Sequence, residues 1–372
     1  MTEIKTIQLI GSYAKEDAIF LLKNISDAIE ERTTEDREQA IQSGTHYSEM
    51  LPIEYNPSKP YMDLFFASLE QYKRKLAIAI GVVAEQIIKT KGKNLVLVSL
   101  ARAGTPIGVL IKRYIRYQYH LELPHYCVSI IRGRGIDENA LHYILQQHPN
   151  QTIQFIDGWT GKGAIKKELR QAVHTFNEKN HEYISDCMAV LADPGHCTSI
   201  YGTREDFLIP SACLNATVSG LISRTVLNET YIGPNDFHGA KYYKELETED
   251  LSNFFIDEIT ALFPSISADV TKQLEHVITT YTEPSWQGMQ DIASIQKYFG
   301  IEDINLVKPG VGETTRVLLR RMPWKILIQD ENNPDLKHIL LLAQEKNVPV
   351  ELYKDMTYSC CGLITPLGRK IS

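Results

Sequence analysis

The chain has 372 residues, of which 43% are hydrophobic and 23% are charged, and this composition excludes a disordered or collagen-like protein. A formal net charge of -7 at pH 7 argues against binding of nucleic acid by the whole surface. There is no apolar run of the roughly 20 residues that a membrane helix needs, no signal-peptide order at the start, and no CxxC pair among the six cysteines. We therefore expect a cytoplasmic protein with reduced thiols, no membrane contact, and neither a zinc knuckle nor a disulfide framework.

The first hundred residues predict helices. Apolar residues from Ala18 to Ile29 share one helical face, and a longer helical pattern runs from about Tyr61 to Ile88. Prolines and polar residues between these segments, at 44–61, mark a long loop. Loops of this length inside compact domains are often functional.

From Asn94 onward, short apolar runs alternate with helical ones. The pattern predicts strands at 95–99, 125–131, 152–156 and 187–192, and helices at 106–117, 138–147, 163–176 and after Pro210. This alternation predicts right-handed crossovers and a parallel sheet covered on both faces. Ligands bind such sheets beyond the carboxyl ends of the strands.

The strongest chemical signal follows the strand at 152–156. Residues 157–164, DGWTGKGA, place an acid at the sheet edge and then a glycine-rich turn at the start of a helix. Small residues let backbone N–H groups converge on an anion, and the helix N-terminus adds partial positive charge. It is not a Walker A loop, because Lys162 precedes Gly163 and no Ser or Thr follows. The turn predicts a phosphate site, with a ligand-free turn as the alternative.

This segment resembles the PRPP-binding signature of the phosphoribosyltransferases. The resemblance implies that Asp157 holds ribose hydroxyls and that the 5-phosphate loop consists of Thr160, Gly161, Lys162, Gly163 and Ala164. A second strand and turn, LVLVSLARAG at 95–104, resembles that family's pyrophosphate loop, and the residues implied are Arg102, Ala103 and Gly104. Two positions depart from the family pattern, namely Gly158 in place of a second acid and Ile165 in place of Thr.

Two further segments belong to the same resemblance. Arg132 and Arg134 stand where the family carries a flexible loop over the active site, and arginine suits bidentate phosphate capture. A solvated basic turn is the alternative. Arg204 and Asp206 are expected to make polar contacts in the acceptor pocket, and Asp137 or Asp206 is a candidate for contact with a metal or the acceptor.

Cys213 supports a different chemistry. It follows Pro210 at an apparent helix start, where a thiol pKa can be lowered. With His196 or His238 nearby in the fold, it could form a Cys-His nucleophile. The alternative is that Cys213 is a small buried hydrophobic residue with no catalytic role.

Over residues 46–243 the chain resembles a bacterial stress-response family found with tellurium-resistance systems, which also carries the label cysteine protease StiP. The segments that carry the resemblance include HYSEMLP (46–52), IIRGRGID (130–137), GTREDFLIPSACLN (202–215) and DFHGAKYY (236–243). In that family a phosphoribosyltransferase-like domain precedes a Pelota-type RNA-binding domain. Residues 306–353 resemble the small α-β-α fold of Pelota and of kinked-RNA-binding ribosomal proteins. RNA contacts are expected at Gly312, Glu313, Thr314 and Arg316, with protein docking or packing as the alternative.

The expected fold class is therefore α/β. A type I phosphoribosyltransferase-like parallel sheet with a helical N-terminal region would occupy residues 1–250, a helical linker 251–300, and a Pelota-type domain 301–372. The resemblance implies a phosphoribosyltransferase that transfers the ribose 5-phosphate of PRPP to a nucleobase-like acceptor, with Mg²⁺ bridging ligand oxygens and release of pyrophosphate. The alternatives are a cysteine hydrolase using Cys213 and a non-catalytic PRPP or nucleotide sensor tethered to RNA. A homodimer is the default expectation for this fold.

Overall fold

A computed structural model describes residues 8–365. The strands of its larger sheet are β1 (Ile19–Phe20), β2 (Leu95–Ala101), β3 (His125–Ile131), β4 (Gly135–Ile136), β5 (Thr152–Trp159), β6 (Met188–Ala192) and β7 (Ile200–Thr203). Six of these strands are parallel, in the order β1-β3-β2-β5-β6-β7, and the short strand β4 pairs antiparallel with β3. In the register of the central strands, Ser99 of β2 lies opposite Ile156 of β5 and Cys127 of β3. The predicted α/β class with a parallel sheet is confirmed.

Ten helices of the described residues flank and connect the sheets. They are α1 (Thr34–Gln42), α2 (Lys59–Lys91), α3 (Gly104–Tyr119), α4 (Glu138–Gln147), α5 (Ala164–Asn180), α6 (Ser252–Thr260), α7 (Ser267–Thr279), α8 (Gln287–Tyr298), α9 (Val311–Arg320) and α10 (Lys337–Glu345). The 33-residue α2 packs against α3, α7 and the edge strand β7. Helix α5 contacts β3 and β4. No helix among residues 8–365 has the length and apolarity to cross a membrane.

Two local predictions are wrong. Residues 18–29 do not form a helix. Instead β1 pairs with β3, and Lys23–Asn24 pairs with Gly239–Ala240. Phe20, Leu21 and Leu22 are buried in succession, and a short buried run cannot be assigned to helix or strand from periodicity alone. Where a helix is expected after Pro210, the chain forms two three-residue 3₁₀ turns, Pro210–Ala212 and Ala216–Val218.

The smaller C-terminal domain contains a four-stranded mixed sheet in the order β8-β11-β9-β10. The strands are β8 (Val307–Pro309), β9 (Pro323–Ile328), β10 (Val350–Leu352) and β11 (Cys360–Ile364). Helix α8 joins the core of this domain through Ile292 and Ile295, whereas α6 and α7 pack on α2 and α3. The helices of the expected linker are thus divided between the two domains.

The two domains are joined at Asp206, in the loop that follows β7. Its carboxylate accepts hydrogen bonds from the backbone N–H groups of Val311, at 2.9 Å, and Ser359, at 2.8 Å. The Ser359 hydroxyl donates to the Asp206 carbonyl oxygen at 2.8 Å. Because Val311 is the first residue of α9, Asp206 caps that helix from the other domain. The start of α9 is therefore held against the loops that follow the strands of the larger sheet.

Candidate phosphate-binding cleft

The two turns singled out in the sequence lie side by side at the carboxyl ends of β2 and β5. A Cβ atom added at Gly104 would lie 2.5 Å from the carbonyl oxygen of Ile156, and one added at Gly158 would lie 2.9 Å from the carbonyl oxygen of Ala103. Both distances are too short for any side chain. Gly158, which stands where the resemblance has a second acid, is thus required by the close approach of the two backbones.

The glycine turn at 160–163 leads directly into α5. Gly163 has φ +80, in the left-handed region that favours glycine, and a Cβ atom there would lie 2.6 Å from the Trp286 ring. The Thr160 hydroxyl donates to Asp193 Oδ1 at 2.6 Å, and the Tyr358 hydroxyl donates to the Gly161 carbonyl oxygen at 3.0 Å. The turn is therefore held by both domains, with the positive end of the α5 dipole at its end.

A cavity of about 310 Å³ lies against this turn. It brings together residues that are far apart in the sequence: Ala103, Arg132, Asp157, Thr160, Gly161, Lys162, Gly163 and Ala164 of the larger domain, and Lys308, Glu313 and Arg316 of the smaller one. Burial raises the pKa of Asp157 to about 7, although its Oδ1 accepts a hydrogen bond from the N–H of Gly158 at 2.7 Å. The carboxyl group of Asp157 thus lines the same cavity as the glycine turn at 160–163.

A second cavity, of about 600 Å³, adjoins the first and shares Arg132, Lys308, Glu313 and Arg316 with it. We call the two together the interdomain cleft. Among the described residues, nine Lys and Arg side chains and three Asp and Glu side chains line it: Arg37, Arg102, Arg132, Lys162, Lys166, Arg224, Lys308, Arg316, Arg321, Glu54, Asp157 and Glu313. This excess of cations, in a chain of net charge -7, gives the cleft a positive potential that favours anions.

Lys162 connects the turn to the C-terminal domain. Its Nζ donates to the Ile304 carbonyl oxygen at 3.1 Å and to Asn305 Oδ1 at 3.2 Å. Burial, together with the nearby charges of Lys308 and Arg132, lowers the pKa of Lys162 to about 8. An anion placed between these cations would favour their charged forms.

Several residues from the sequence analysis lie outside the interdomain cleft. Arg134 pairs with Glu49 at 2.7 Å and lines other cavities. Arg204 donates to Thr282 Oγ1 at 2.8 Å, and Asp206 serves the domain joint. Gly104 is used for backbone packing beneath the turns.

Residues 312–316, where RNA contacts are expected, lie in the first half of α9, with Gly312 and Arg316 against the larger domain and Thr314 against the sheet of the smaller one. Arg316 Nε donates to the Ala212 carbonyl oxygen at 3.0 Å, Thr314 is fully buried, and a Cβ atom on Gly312 would lie 3.2 Å from that of Ala212. Glu313 pairs with Arg316 at 3.1 Å, and both line the cleft. In this structure these residues form the domain joint and one wall of the cleft, so RNA contact through them stays a prediction.

The candidate thiol nucleophile lies in the hydrophobic core. Cys213 is 1% exposed and caps the 3₁₀ turn Pro210–Ala212 at its C-terminal end, so it does not stand at the start of an α-helix as expected. His238 Nδ1 lies 2.8 Å from the Ser129 hydroxyl, and its backbone N–H donates to Asp137 Oδ2 at 2.6 Å. Burial lowers the pKa of His238, which lines a separate cavity with Arg134.

Comparison with known proteins identifies the family. Residues 11–260 match the family described as tellurite-like stress resistance cysteine protease StiP. The chain belongs to the StiP family. A curated relative of this StiP-family chain, the cysteine protease StiP of Acinetobacter baylyi, is 33% identical over 375 residues, which cover 96% of this chain and 95% of the relative. Residues 286–366 match the PELOTA RNA-binding domain, so this part of the predicted resemblance is confirmed.

Two solved structures show weak similarity to this StiP-family protein. One is the xanthine-guanine-hypoxanthine phosphoribosyltransferase of Helicobacter pylori, with 15% identity over 30% of this chain and 66% of that chain, at a TM-score of 0.20. The other is a hypothetical protein from Neisseria gonorrhoeae with bound ppGpp, with 14% identity over 32% and 66% of the two chains, at a TM-score of 0.21. With TM-scores this low, neither similarity bears on the activity of the chain.

The family description directs attention to the other cysteines of this StiP-family protein. Cys197 is the thiol next to the phosphate turn, since a Cβ atom on Gly163 would lie 2.8 Å from its Sγ. Burial, and then the charge of Asp193, raises the pKa of Cys197 to about 12. Burial also raises the pKa of Cys127 to about 12. Both thiols are therefore protonated at neutral pH in this structure.

No group of three or more His, Cys, Asp or Glu side chains in the described part of the chain could hold a metal ion. Asp157 and Glu313 are the carboxylates in the 310 Å³ cavity. Magnesium is often held by one or two carboxylates together with water and substrate phosphates. The residues of this StiP-family site therefore fit a magnesium ion that enters with a phosphorylated ligand.

Sequence reasoning missed Glu54, Arg224, Lys308 and Arg321 as residues of the cleft. Glu54 comes from the long loop before α2, and Lys308 from the strand before α9. None belongs to a motif of its own. The length of that loop and the LVKPGVGE segment (306–313) could have pointed to Glu54 and Lys308, whereas no sequence signal pointed to Arg224 or Arg321.

Proposed function

We propose that this StiP-family protein is a phosphoribosyltransferase that binds PRPP in the interdomain cleft and transfers its ribose 5-phosphate to a nucleobase-like acceptor, with release of pyrophosphate. One observation carries the proposal. The glycine turn at 160–163, the carboxyl group of Asp157 and cations from both domains converge on one cavity at the carboxyl ends of the strands. A phosphorylated sugar offers complementary groups, namely phosphates for the cations and hydroxyls for the acid.

Each group of the cleft has a role that follows from its chemistry. The N–H groups at the start of α5 would bind the 5-phosphate, and Asp157 would accept hydrogen bonds from the ribose hydroxyls. In the reaction the bond from ribose C1 to pyrophosphate breaks, a bond from C1 to an acceptor nitrogen forms, and the acceptor loses a proton. Arg102 and Arg132 would stabilise the negative charge that grows on the leaving group. Magnesium, when bound, would neutralise part of the pyrophosphate charge.

Isothermal titration of the full chain with Mg-PRPP tests binding. We expect wild type to bind and Asp157→Asn to bind about tenfold more weakly or worse, because hydrogen bonds to an ionised group contribute about 1.5–3 kcal/mol. Asp27→Asn, at an exposed position, is the matched control and should bind as wild type does. Failure of wild type to bind, or equal affinity of the Asp157→Asn variant, would overturn the proposal. The sensor alternative would be favoured if PRPP binds but no nucleobase of a test panel causes PRPP to release pyrophosphate.

The second candidate function is a cysteine protease. The specific observation in its favour is the family description, which the name of the 33% identical relative repeats. These favour the protease over the transferase, whereas the cation-lined cleft favours the transferase. For Cys213 to act as a nucleophile, its buried thiol must become accessible to a substrate and be activated by a base such as histidine.

Thiol labelling and peptidase assays separate the two candidates. If the transferase proposal holds, iodoacetamide at neutral pH should modify Cys213 more slowly than the partly exposed Cys187. The Cys213→Ser variant should then keep its affinity for Mg-PRPP. The protease is supported instead if Cys213 reacts faster than a free thiol and if Cys213→Ser, but not Cys187→Ser, abolishes cleavage of unfolded protein substrates.

A further inference from the structure

Arg224 lies in the wall of the 600 Å³ cavity, between Ser223 and Thr225 in a segment that is otherwise buried. Among residues 8–365 its guanidinium makes neither a hydrogen bond nor an ion pair with another side chain or backbone group. An arginine has five N–H donors and no means of losing its charge near neutral pH, so its donors must be satisfied by water or by a ligand.

The surroundings of Arg224 add charge of the same sign. Burial and the nearby guanidinium groups of Arg102 and Arg37 lower the pKa of Arg224 to about 10, against the smaller opposing effects of Tyr47 and Glu54. Glu54 is already shared, since one carboxylate oxygen lies 3.9 Å from Arg102 and the other accepts from the N–H of Ala216 at 3.4 Å. Three arginines that act on one another electrostatically therefore line this cavity together with the carboxylate of Glu54.

The opposite wall of this cavity comes from the C-terminal domain and is also cationic. Lys308, Arg316 and Arg321 line it, with Glu313 as the acid of that wall. Partly buried cations that lie close together repel one another, and an anion that enters between them relieves this repulsion. The walls of both domains thus favour an anion in the larger cavity.

The larger cavity is distinct from the phosphate turn. Asp157 and residues 160–164 line the 310 Å³ cavity and not the 600 Å³ one, whereas Arg224 lines only the latter. The shared residues Arg132, Lys308, Glu313 and Arg316 mark where the two cavities meet. A ligand pair that fills the cleft can therefore place one phosphate in the turn and a second anionic group beside Arg224.

We propose that Arg224 marks a second anion subsite, which binds a carboxylate or phosphate group of the acceptor and so selects an anionic acceptor over a neutral nucleobase. This inference rests on the proposed phosphoribosyl transfer, and it names the chemical class of the acceptor. The alternative is that Arg224 binds only the pyrophosphate of PRPP. The two alternatives predict different effects of substitution at this position.

Matched pairs of probes test the subsite on the full chain with ribose 5-phosphate present in excess. Orotate against uracil isolates a carboxylate, and uridine 5′-monophosphate against uridine isolates a phosphate. For at least one pair, wild type should bind the anionic member about tenfold more tightly or better, the effect expected of a charge-assisted hydrogen bond. Arg224→Gln should abolish this preference, and it should weaken the binding of Mg-PRPP much less than the binding of the anionic probe. Arg224→Lys should retain part of the preference.

Controls keep the outcome interpretable. Arg116→Gln, at an arginine that pairs with Glu122 away from the cleft, should keep the anion preference. Thermal unfolding should show Arg224→Gln folded and at least as stable as wild type, because the variant loses a cation crowded by like charges.

Two results would overturn the inference: no preference in either pair, or a loss of Mg-PRPP affinity in Arg224→Gln as large as the loss for the anionic probe. The proposed function fails separately. If wild type does not bind Mg-PRPP but shows an Arg224-dependent anion preference without ribose 5-phosphate, the subsite stands and the transferase does not.

Discussion

The hydroxyl of Thr160 and the carboxylate of Asp193 form a buried hydrogen bond of 2.6 Å that ties the phosphate turn to the loop after β6. Asp193 also accepts from the backbone N–H of Cys197 at 2.8 Å. Burial raises the pKa of Asp193 to about 6 in spite of these donors. The carboxylate of Asp193 therefore holds the first residue of the glycine turn next to the backbone at Cys197.

Loss of this hydrogen bond should loosen the turn. Thr160→Val leaves Asp193 with fewer donors in a buried place, and we expect it to lower the free energy of unfolding by about 1–3 kcal/mol. Thr160→Ser keeps the hydroxyl and is the control, with a much smaller loss expected. Urea denaturation of both variants measures the difference, and equal stability of the valine and serine variants would contradict the role of the bond.

The buried acid Asp157 should make stability depend on pH. Its folded pKa of about 7 lies above an unfolded value of about 3.9, so between these values the folded chain keeps a proton that the unfolded chain has lost. Its contribution is fully present below pH 4 and is lost as pH rises towards 7, by on the order of 4 kcal/mol at most. Urea denaturation from pH 4 to 8 should show a flatter profile for Asp157→Asn than for wild type, and parallel profiles would contradict this assignment.

Ligand binding should show the opposite dependence on pH. Asp157 accepts stronger hydrogen bonds from ribose hydroxyls when it is ionised, so the affinity for ribose 5-phosphate should rise as pH increases through 7. Inorganic phosphate, titrated over the same range, corrects for changes in phosphate charge. A pH profile for ribose 5-phosphate that matches the profile for inorganic phosphate would exclude Asp157 from ribose contact.

Two glycines near the site should differ sharply in their tolerance of alanine. Gly104→Ala would place a Cβ atom 2.5 Å from the Ile156 carbonyl oxygen, so the turns must separate, and we expect a loss of at least about 2 kcal/mol and weaker Mg-PRPP binding. Gly161→Ala meets no atom within 4 Å and should change stability by less than about 0.5 kcal/mol. Thermal unfolding of both variants gives the comparison.

The domain joint at Asp206 should be sensitive to substitution. Asp206→Ala removes the acceptor for the N–H groups of Val311 and Ser359, at a cost of about 1–2 kcal/mol for a lost helix cap. Hydrogen exchange should quicken at the first turn of α9, and the cleft should bind Mg-PRPP more weakly because its second wall is displaced. Glu205→Ala, at the exposed neighbour that pairs with Lys75, should leave both measurements unchanged.

Alternation of apolar and helical segments was enough to predict the central elements. The strand at 125–131 and the helix at 138–147 have the predicted bounds, because a continuous buried strand and an amphipathic helix with an Asp cap each have a local signature. The apolar residues from Ala18 to Ile29 have a helical spacing that misleads, because a short buried run fits a helix or a strand equally well. Ile19–Phe20 becomes a strand only because β3 offers an edge to pair with.

The sequence by itself determined the parallel α/β class and the glycine turn after β5, since hydrophobic periodicity and glycine spacing are local properties of the chain. Only the tertiary structure decided which distant residues meet at that turn. In the folded protein Arg224 and Lys308 line the cleft, whereas Arg134 and Arg204 lie outside it. Cys213 is buried in the core. The physical reason is that an anion site depends on the summed field of charges from separate segments, and that sum exists only after the two domains have packed.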